Sequence, residues 1–416
     1  PLALQQHTLR NGLRFIHVRT PGSATAAVQV WYRVGGKDDP AGRSGFAHLF
    51  EHMMFKRTRH LPNEAFDRLT EDVGGQNNAY TAEDVTVYQN EVPLHHTERL
   101  LWAEAERMSN LTVDQGNFDS ERQVVIEELR QRVLADPYGR LWVALPGYTF
   151  ERHPYRRPGI GSIEDLEAAT LADVQRFHAT YYRPDNAVLI VAADVEPAEA
   201  LGWTQRYFGP LRRPAGAVPR VRITEPARQR DVRHAMTAPR VPLPALALLW
   251  KGPPAAHADS AALAVAGALL SAGESARLNE ALVYRAEVAQ AAGFQADLYA
   301  DAGLIAGYAI AASGKALDDV ERRLLAEIER LATKAIAADE LDKVRARLLT
   351  SALSQRQRPA GQAAAVGNAV LVRGDARWAD RELPELQAVT AADVQRVLRR
   401  WVLGARRATV TYQQEA

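Results

Sequence analysis

At 416 residues the chain is longer than one ordinary domain, and two domains of about 200 residues are the expectation. Its 47% hydrophobic and 24% charged residues suit a globular protein with large cores, and 51 basic against 50 acidic residues leave a net charge of +1. That balance excludes a strongly basic nucleic-acid binder and gives no pull towards an anionic membrane. There is no cysteine, so disulfides and thiolate sites are excluded and any zinc falls to His, Asp or Glu. No apolar run reaches the roughly 18–20 residues that a membrane span needs. Pro1 stands where an initiator Met would be, a start that a removed signal peptide or simple trimming would give. The bacterial periplasm is the location expected on that ground, with the cytoplasm as the alternative.

Leu13–Val18 and Ala26–Val34 read as strands, with Asn11-Gly12 turn chemistry ahead of the first. Gly35 to Pro40 is a loop, and Gly42 to Gly45 lead into a helix. On that helix Phe46, Leu49, Phe50 and Met53 fall at i, i+3, i+4 and i+7, a single apolar stripe. At about 100° per residue, His48, Glu51, His52 and Phe55 cluster on the opposite side. Two imidazoles at i and i+4 lie about one turn apart, which suits two ligands of one tetrahedral zinc. The carboxylate between them is placed to act as a base towards a reacting water. The pattern is H-x-x-E-H, the inverse of the commoner zinc-protease order.

Leu61–Val73 reads as a second helix ending at Gly74-Gly75, and Asn77–Thr81 with Asp84–Asn90 as a pair of hairpin strands. A helix is expected from His96 to Met108. Another starts at Asp119 or Ser120, both good N-cap residues, and runs to about Leu134. Asp165–Tyr182 reads as helix and Ala187–Ala192 as strand. The text Leu166-Glu167-Ala168-Ala169-Thr170-Leu171-Ala172-Asp173-Val174-Gln175-Arg176 then recurs, with few changes, from Leu386 to Arg396. A strand follows each copy, Ala187–Val191 and Ala408–Tyr412. An offset of 220 residues between the copies indicates two similar domains rather than a solenoid.

The expected fold is α+β, with two similar domains, each a mostly antiparallel sheet with helices packed on one face. Residues 1–207 form the zinc-bearing catalytic domain, 208–230 a Pro- and Arg-rich linker, and 231–416 a similar domain without a metal site. In that second half Ser260–Leu270 stands where the His/Glu helix would be and carries no metal-binding side chain.

A zinc hydrolase needs a third protein ligand and an open position. With no third His nearby, a carboxylate from another helix must supply it, and Ser120–Arg130 is the best candidate. Glu121 and Glu128 are i, i+7 on one face, shared with Val124 and Val125, while Glu127 points about 100° away. A carboxylate on a half-apolar face is costly unless something positive compensates it. Glu128 is the expected ligand and Glu121 a supporting carboxylate.

With these pieces together the chain resembles the pitrilysin family, which includes insulin-degrading enzyme, the mitochondrial processing peptidase and bacterial homologues. The resemblance rests on H-x-x-E-H, on His52-Met53-Met54-Phe55-Lys56, on Gly74 to Thr81 with its Asn-Ala-x-Thr, on E-R-x-x-V-x-x-E and on His153-Pro154-Tyr155-Arg156. It is dense to about residue 195 and thinner beyond, and the size is that of a half-length member. It implies one zinc ion on His48, His52 and Glu128, with Glu51 as general base and Glu121 assisting. It also implies that the strand at Asn78 and Ala79 pairs with an extended peptide substrate. Half-length members pair with a second chain, and a second-half helix carries an Arg and, seven residues on, a Tyr that reach the apposed zinc site. Here Val283 and Gln290 stand at those positions, so the expectation is a heterodimer whose homologous partner supplies Arg and Tyr.

The rival is a catalytically silent scaffold or peptide-binding subunit of the same fold. Glu121 alone reads equally as a helix N-terminal charge, and Asn78 alone as a turn residue. His95 and His96, and the basic run Arg212 to Arg230, read as solvated, and Trp102 and Trp142 as core.

Overall fold

In the computed structural model, which describes residues 2–415, the strands form two mixed sheets. The first contains β1 (Leu4–Thr8), β2 (Arg14–Arg19), β3 (Thr25–Tyr32), β4 (Gln76–Thr81), β5 (Thr86–Pro93) and β6 (Ala187–Ala193), in the order β1-β2-β6-β3-β5-β4. The second contains β7 (Val232–Ala238), β8 (Ala245–Gly252), β9 (Ala289–Leu298), β10 (Gly303–Ala311) and β11 (Ala408–Gln414), in the order β7-β11-β8-β10-β9. Each sheet is antiparallel except for one parallel pair, β2 with β6 and β7 with β11. The fold is α+β with two sheet-and-helix units, as the repeat and the hairpins predict.

The chain divides into two compact units, each interleaved in sequence. One comprises Pro1–Leu129, Arg157–Arg222 and Leu353–Asp380, the other Arg130–Arg156, Ile223–Ala352 and Arg381–Ala416. Each therefore takes a segment that a single cut at 208–230 would assign to the other. The central strands give the reason. Those of β3, β6 and β8 are buried almost throughout, so both faces of each sheet must be covered.

In the first unit Ile16, Val18, Trp31, Val87 and Ile190 pack on Ala363, Val366 and Val370 of the helix Pro359–Leu371. Gly367 lies where the Trp31 indole passes: a Cβ there would come within 2.1 Å of the ring. The other face meets α1 (Phe46–Met53), α2 (Ala65–Glu71) and α3 (Thr97–Asn110). In the second unit Leu246, Leu248 and Trp250 face one core with Leu263 and Leu324. Ala245, Ala247 and Leu249 face Leu141 and Leu145 of the helix Gly139–Thr149. Helices thus cover both faces of each sheet, where the sequence suggests one.

Several boundaries differ from expectation for local reasons. The helix expected over 61–73 is confined to Ala65–Glu71, because Glu64 before it takes a left-handed φ of 65°. The next, α4 (Gln115–Leu129), starts four residues before Asp119 because Asp114 Oδ1 accepts the Asn117 N–H at 2.9 Å and caps it. Residues 165–182 form two helices, Ile163–Ala168 and Leu171–Tyr181, restarted by a capping box between Thr170 and Asp173. The second copy of the repeat has the same box between Thr390 and Asp393, so the duplicated text encodes one helix start twice.

Two arginines of the 208–230 stretch are tied down rather than solvated. Arg220 donates to Arg33 O and Asn186 Oδ1 in the first unit, and Arg228 to Tyr148 O and Thr149 O in the second. Among the described residues no helix is long and apolar enough to cross a membrane.

Candidate metal centre

The helix α1 starts at Gly45, whose φ is 87° and whose Cβ, if present, would lie 2.8 Å from Ile160 O. Only glycine fits there without strain. Its first amides are capped from a distance: the Asp39 carboxylate accepts Gly45 N–H at 2.7 Å and Ala47 N–H at 2.8 Å. Arg157 holds the same loop by donating to the carbonyls of Asp39 and Lys37. Burial pushes the Asp39 carboxyl up to about 7, although both amide bonds pull it down.

A testable pH dependence follows. Between its ordinary 3.8 and about 7 the folded state holds a proton on Asp39 that the unfolded state releases, so this group's contribution falls as pH rises. Urea denaturation from pH 4 to 7 should therefore show Asp39→Asn gaining on the parent with rising pH. A constant difference between the two would remove Asp39 from that role.

Phe46, Leu49, Phe50 and Met53 are all buried, with Phe50 against Phe177, His178 and Tyr182. The opposite face carries His48, Glu51 and His52, all half-buried, and the two imidazoles are directed at α4. There Glu128 Oε2 lies 3.6 Å from His48 Nε2 and 3.4 Å from His52 Nε2. Ligands about 2.0–2.2 Å from a tetrahedral zinc lie about 3.3–3.6 Å from one another, so this donor set fits the ion. Among the described residues it is the one group of three His, Asp or Glu side chains close enough to hold a metal. Glu127 is exposed, consistent with its different helical direction. Of the two valines expected beside the ligand face, Val125 is buried but Val124 is 47% exposed, so the apolar half of that face is narrower than its sequence suggests.

Glu121 is buried behind His52. Its Oε2 is 3.6 Å from His52 Nδ1, and its Oε1 is 2.6 Å from Lys56 Nζ. Burial opposes charge on His52, but the Glu121 carboxylate and the charges of Glu51 and Glu128 outweigh it and raise the imidazole's pKa. Burial likewise opposes charge on Glu121, yet His52 and Lys56 hold its carboxyl below the usual range. A carboxylate on the far nitrogen of a metal-binding imidazole fixes its tautomer and increases its basicity. Glu121→Gln is expected to weaken zinc binding about 10–100-fold in a chelator-competition titration. Unchanged affinity would separate Glu121 from the metal centre.

Glu51 is held from the neighbouring strand, where Thr81 Oγ1 donates to its Oε2 at 2.6 Å. That strand, β4, is the edge of its sheet and pairs only with β5 among the described residues. Since Ala82 N–H bonds Val85 O, the antiparallel register turns alternate residues Tyr80, Asn78 and Gln76 inward to β5. Asn77, Ala79 and Thr81 then turn their backbone groups to the open edge, where Asn78 Oδ1 accepts the Ala79 N–H at 2.9 Å. Glu51, His52, Asn78, Ala79 and Glu121 line one cavity of about 340 Å³, and His48 and Glu128 adjoin it through His52.

Three contributors escaped the sequence reading. Thr81 ends the Asn-Ala-x-Thr text and Lys56 follows His52 by one helical turn, so both carried a usable signal. Asp39 carried none. In the second unit Val283 lies in the helical turn Asn279–Arg285 and packs on the core, while Gln290 is exposed on β9. No single helix carries both.

A family model described as Insulinase (Peptidase family M16) matches residues 14–159, and one described as Peptidase M16 inactive domain matches residues 168–348. The zinc protease PqqE of Helicobacter pylori is 31% identical over 340 residues, 81% of this chain and 77% of its own. The chain belongs to peptidase family M16. All five His and Glu residues of the candidate centre fall within the insulinase match, and none within the inactive-domain match. Another M16 relative, the probable mitochondrial-processing peptidase subunit beta of Arabidopsis thaliana, is 26% identical over 95% of this chain and 75% of its own. The crystal structure of a protease from Helicobacter pylori superposes with a TM-score of 0.94 at 28% identity, covering 99% of this chain and 100% of that one. An M16 protein with relatives named zinc proteases takes zinc as its cofactor, and His48, His52 and Glu128 are the candidate site.

Proposed function

We propose that this M16 protein is a zinc endopeptidase of the H-x-x-E-H type that cuts extended peptides or unfolded polypeptide segments. The carrying observation is the juxtaposition of the His48/His52/Glu128 donor set with Glu51 and an open strand edge. Zinc, when bound, supplies Lewis-acid polarisation of the scissile carbonyl and acidifies the attacking water. Glu51 takes a proton from that water at its carboxylate and returns it to the leaving amine. Thr81 keeps the Glu51 carboxylate aimed across the cavity. Glu121, itself steadied by Lys56, orients the His52 ring. The β4 edge binds the substrate main chain as an added strand through the outward backbone of Ala79, with the Asn78 side chain beside it, a mode that tolerates varied side chains.

The chain works as the zinc-bearing subunit of a heterodimer in this reading. The support is the sequence alignment alone: Val283 and Gln290 stand where the resemblance puts Arg and Tyr, although the two lie on a helical turn and a strand rather than on one helix. One missing donor of that kind costs about 10²–10³ in rate. The test is cleavage of an unstructured peptide by the chain alone and with proteins that co-purify with it, with and without a zinc chelator. Chelator-sensitive cleavage that rises strongly with a partner is expected. Full activity alone would contradict the heterodimer, and binding without turnover in every combination would favour a silent scaffold.

A further inference from the structure

A second cavity, of about 170 Å³, opens at the start of the β4 edge and holds none of the groups assigned to catalysis. Thr25, Gly75, Gln76, Glu91 and Arg358 line it, all within the compact unit that carries the metal centre. The Gly74-Gly75 turn gives it room: Gly74 has a φ of 76°, and a Cβ on Gly75 would lie 2.4 Å from Glu91 O. Gln76 and Glu91 stand opposite each other in the β4–β5 register, so their side chains leave the same face of the sheet. That face is the one covered by the helix Pro359–Leu371, since Ala27, opposite Glu91 on β3, packs with Ala363 and Val366.

The cavity is built around one ion pair. Glu91 is largely buried, and its carboxylate accepts from Thr25 Oγ1 at 3.5 Å, Gln76 Nε2 at 3.3 Å and Arg358 Nη2 at 2.6 Å. The Arg358 side chain is 62% exposed, and among the described residues its other N–H groups have no partner. It stands directly before the helix, where Gln29 Nε2 donates to Ala360 O at 3.0 Å and pins the helix start to β3. An entering group therefore meets N–H donors in a planar fork, held in place by Glu91, which suits a carboxylate. The pair carries no net charge, so selection rests on the direction of those donors and its effect is moderate.

The register says which carboxylate. A peptide added to β4 in the antiparallel sense, the sense of β5, runs from the Thr81 and Glu51 end of the strand towards Gln76 as it goes from N to C. The substrate residue opposite Gln76 thus comes three after the one opposite Ala79, about 10 Å further along. Directly opposite residues share a face, so its side chain leaves on the Gln76 side, next to Arg358.

We infer that Arg358 forms a subsite for a carboxylate on the C-terminal side of the scissile bond, either an Asp or Glu side chain or the free end of a short peptide. The inference rests on the peptidase reading, since only a peptide on β4 brings such a group there. Arg358 is remote from the reacting bond and holds substrate and transition state alike, so it acts on KM and not on kcat.

The test uses the full chain with any partner it requires and unstructured peptides with a single cleaved bond. Glu, Gln or Lys is placed at successive positions after that bond and, in a second series, before it. A third series ends at the positions after the bond with a free or an amidated C-terminus. The readouts are KM and kcat, and binding of the same peptides to the Glu51→Gln protein by fluorescence anisotropy. At one position after the bond a carboxylate should bind about fivefold tighter than the amide, with Lys weaker and kcat the same. A Glu advantage assigns the subsite to side chains and a free-terminus advantage to chain ends; both support it. Arg358→Gln should erase the advantage, Arg358→Lys should keep part of it, and Arg358→Glu should turn it in favour of Lys. No carboxylate preference after the bond, a preference found only before it, or one that survives Arg358→Gln would overturn the subsite. If Arg358 serves only to hold its helix, Arg358→Gln lowers Tm and shifts KM of the Glu and Gln peptides equally, which also overturns it. Cleavage without the preference leaves the peptidase reading standing, whereas binding with the preference and no cleavage sinks that reading and keeps the subsite.

Discussion

Glu51→Gln is expected to lower peptide cleavage about 10²–10⁴-fold while zinc content stays at the parent level. The amide has the shape of the carboxylate and can still accept the Thr81 hydroxyl, so the cavity wall is preserved. It cannot take a proton from water. Glu51 lies on the same face of α1 as the two histidines but outside the group of candidate donors within 4.8 Å of one another, so its loss leaves that candidate set complete. The measurement is kcat/KM on an unstructured peptide beside metal analysis of the same sample. Retained cleavage would exclude Glu51 as the base, and a joint loss of zinc and activity would make it part of the metal shell.

Glu128→Gln produces the opposite pattern. It removes the negative donor that lies within 3.6 Å of both imidazoles and leaves a neutral amide. Zinc affinity should fall beyond the roughly 10–100-fold expected for an outer-shell partner such as Glu121, and cleavage should fall with it. The fold itself should survive. Val125, Ile126 and Leu129 carry the buried face of α4 and are untouched by the change. Thermal unfolding separates the two effects: chelated parent and variant should melt together, and added zinc should raise Tm of the parent alone. A variant that melts lower even without metal would make Glu128 a structural residue.

Much of this site was legible because its decisive information is local and periodic. The i, i+4 histidines and the apolar stripe share one helix, so their opposition follows from the period alone. Glu128 against Glu127 is likewise a matter of helical direction. The double capping box at Thr170 and Thr390 explains why so short a text marks a duplication. What stayed hidden depends on contacts distant in sequence. Asp39 caps α1 from across a loop, and its sequence neighbourhood reads only as turn. The helix Pro359–Leu371 belongs with strands more than 150 residues before it, and its Ala- and Val-rich face would suit any sheet. α4 starts early because Asp114, a capping residue as good as Asp119, accepts the Asn117 N–H.

The most direct test is a zinc titration of the chelated protein, in complex with its partner where one is needed, followed by cleavage of an unstructured peptide. Cleavage should be absent after chelation, rise in proportion to added zinc and level off at one equivalent per chain. It should not return at any zinc concentration below a large excess when His48 or His52 is alanine. Cleavage that persists without metal, or a protein that binds one zinc and never cleaves, would contradict the assignment of a zinc endopeptidase.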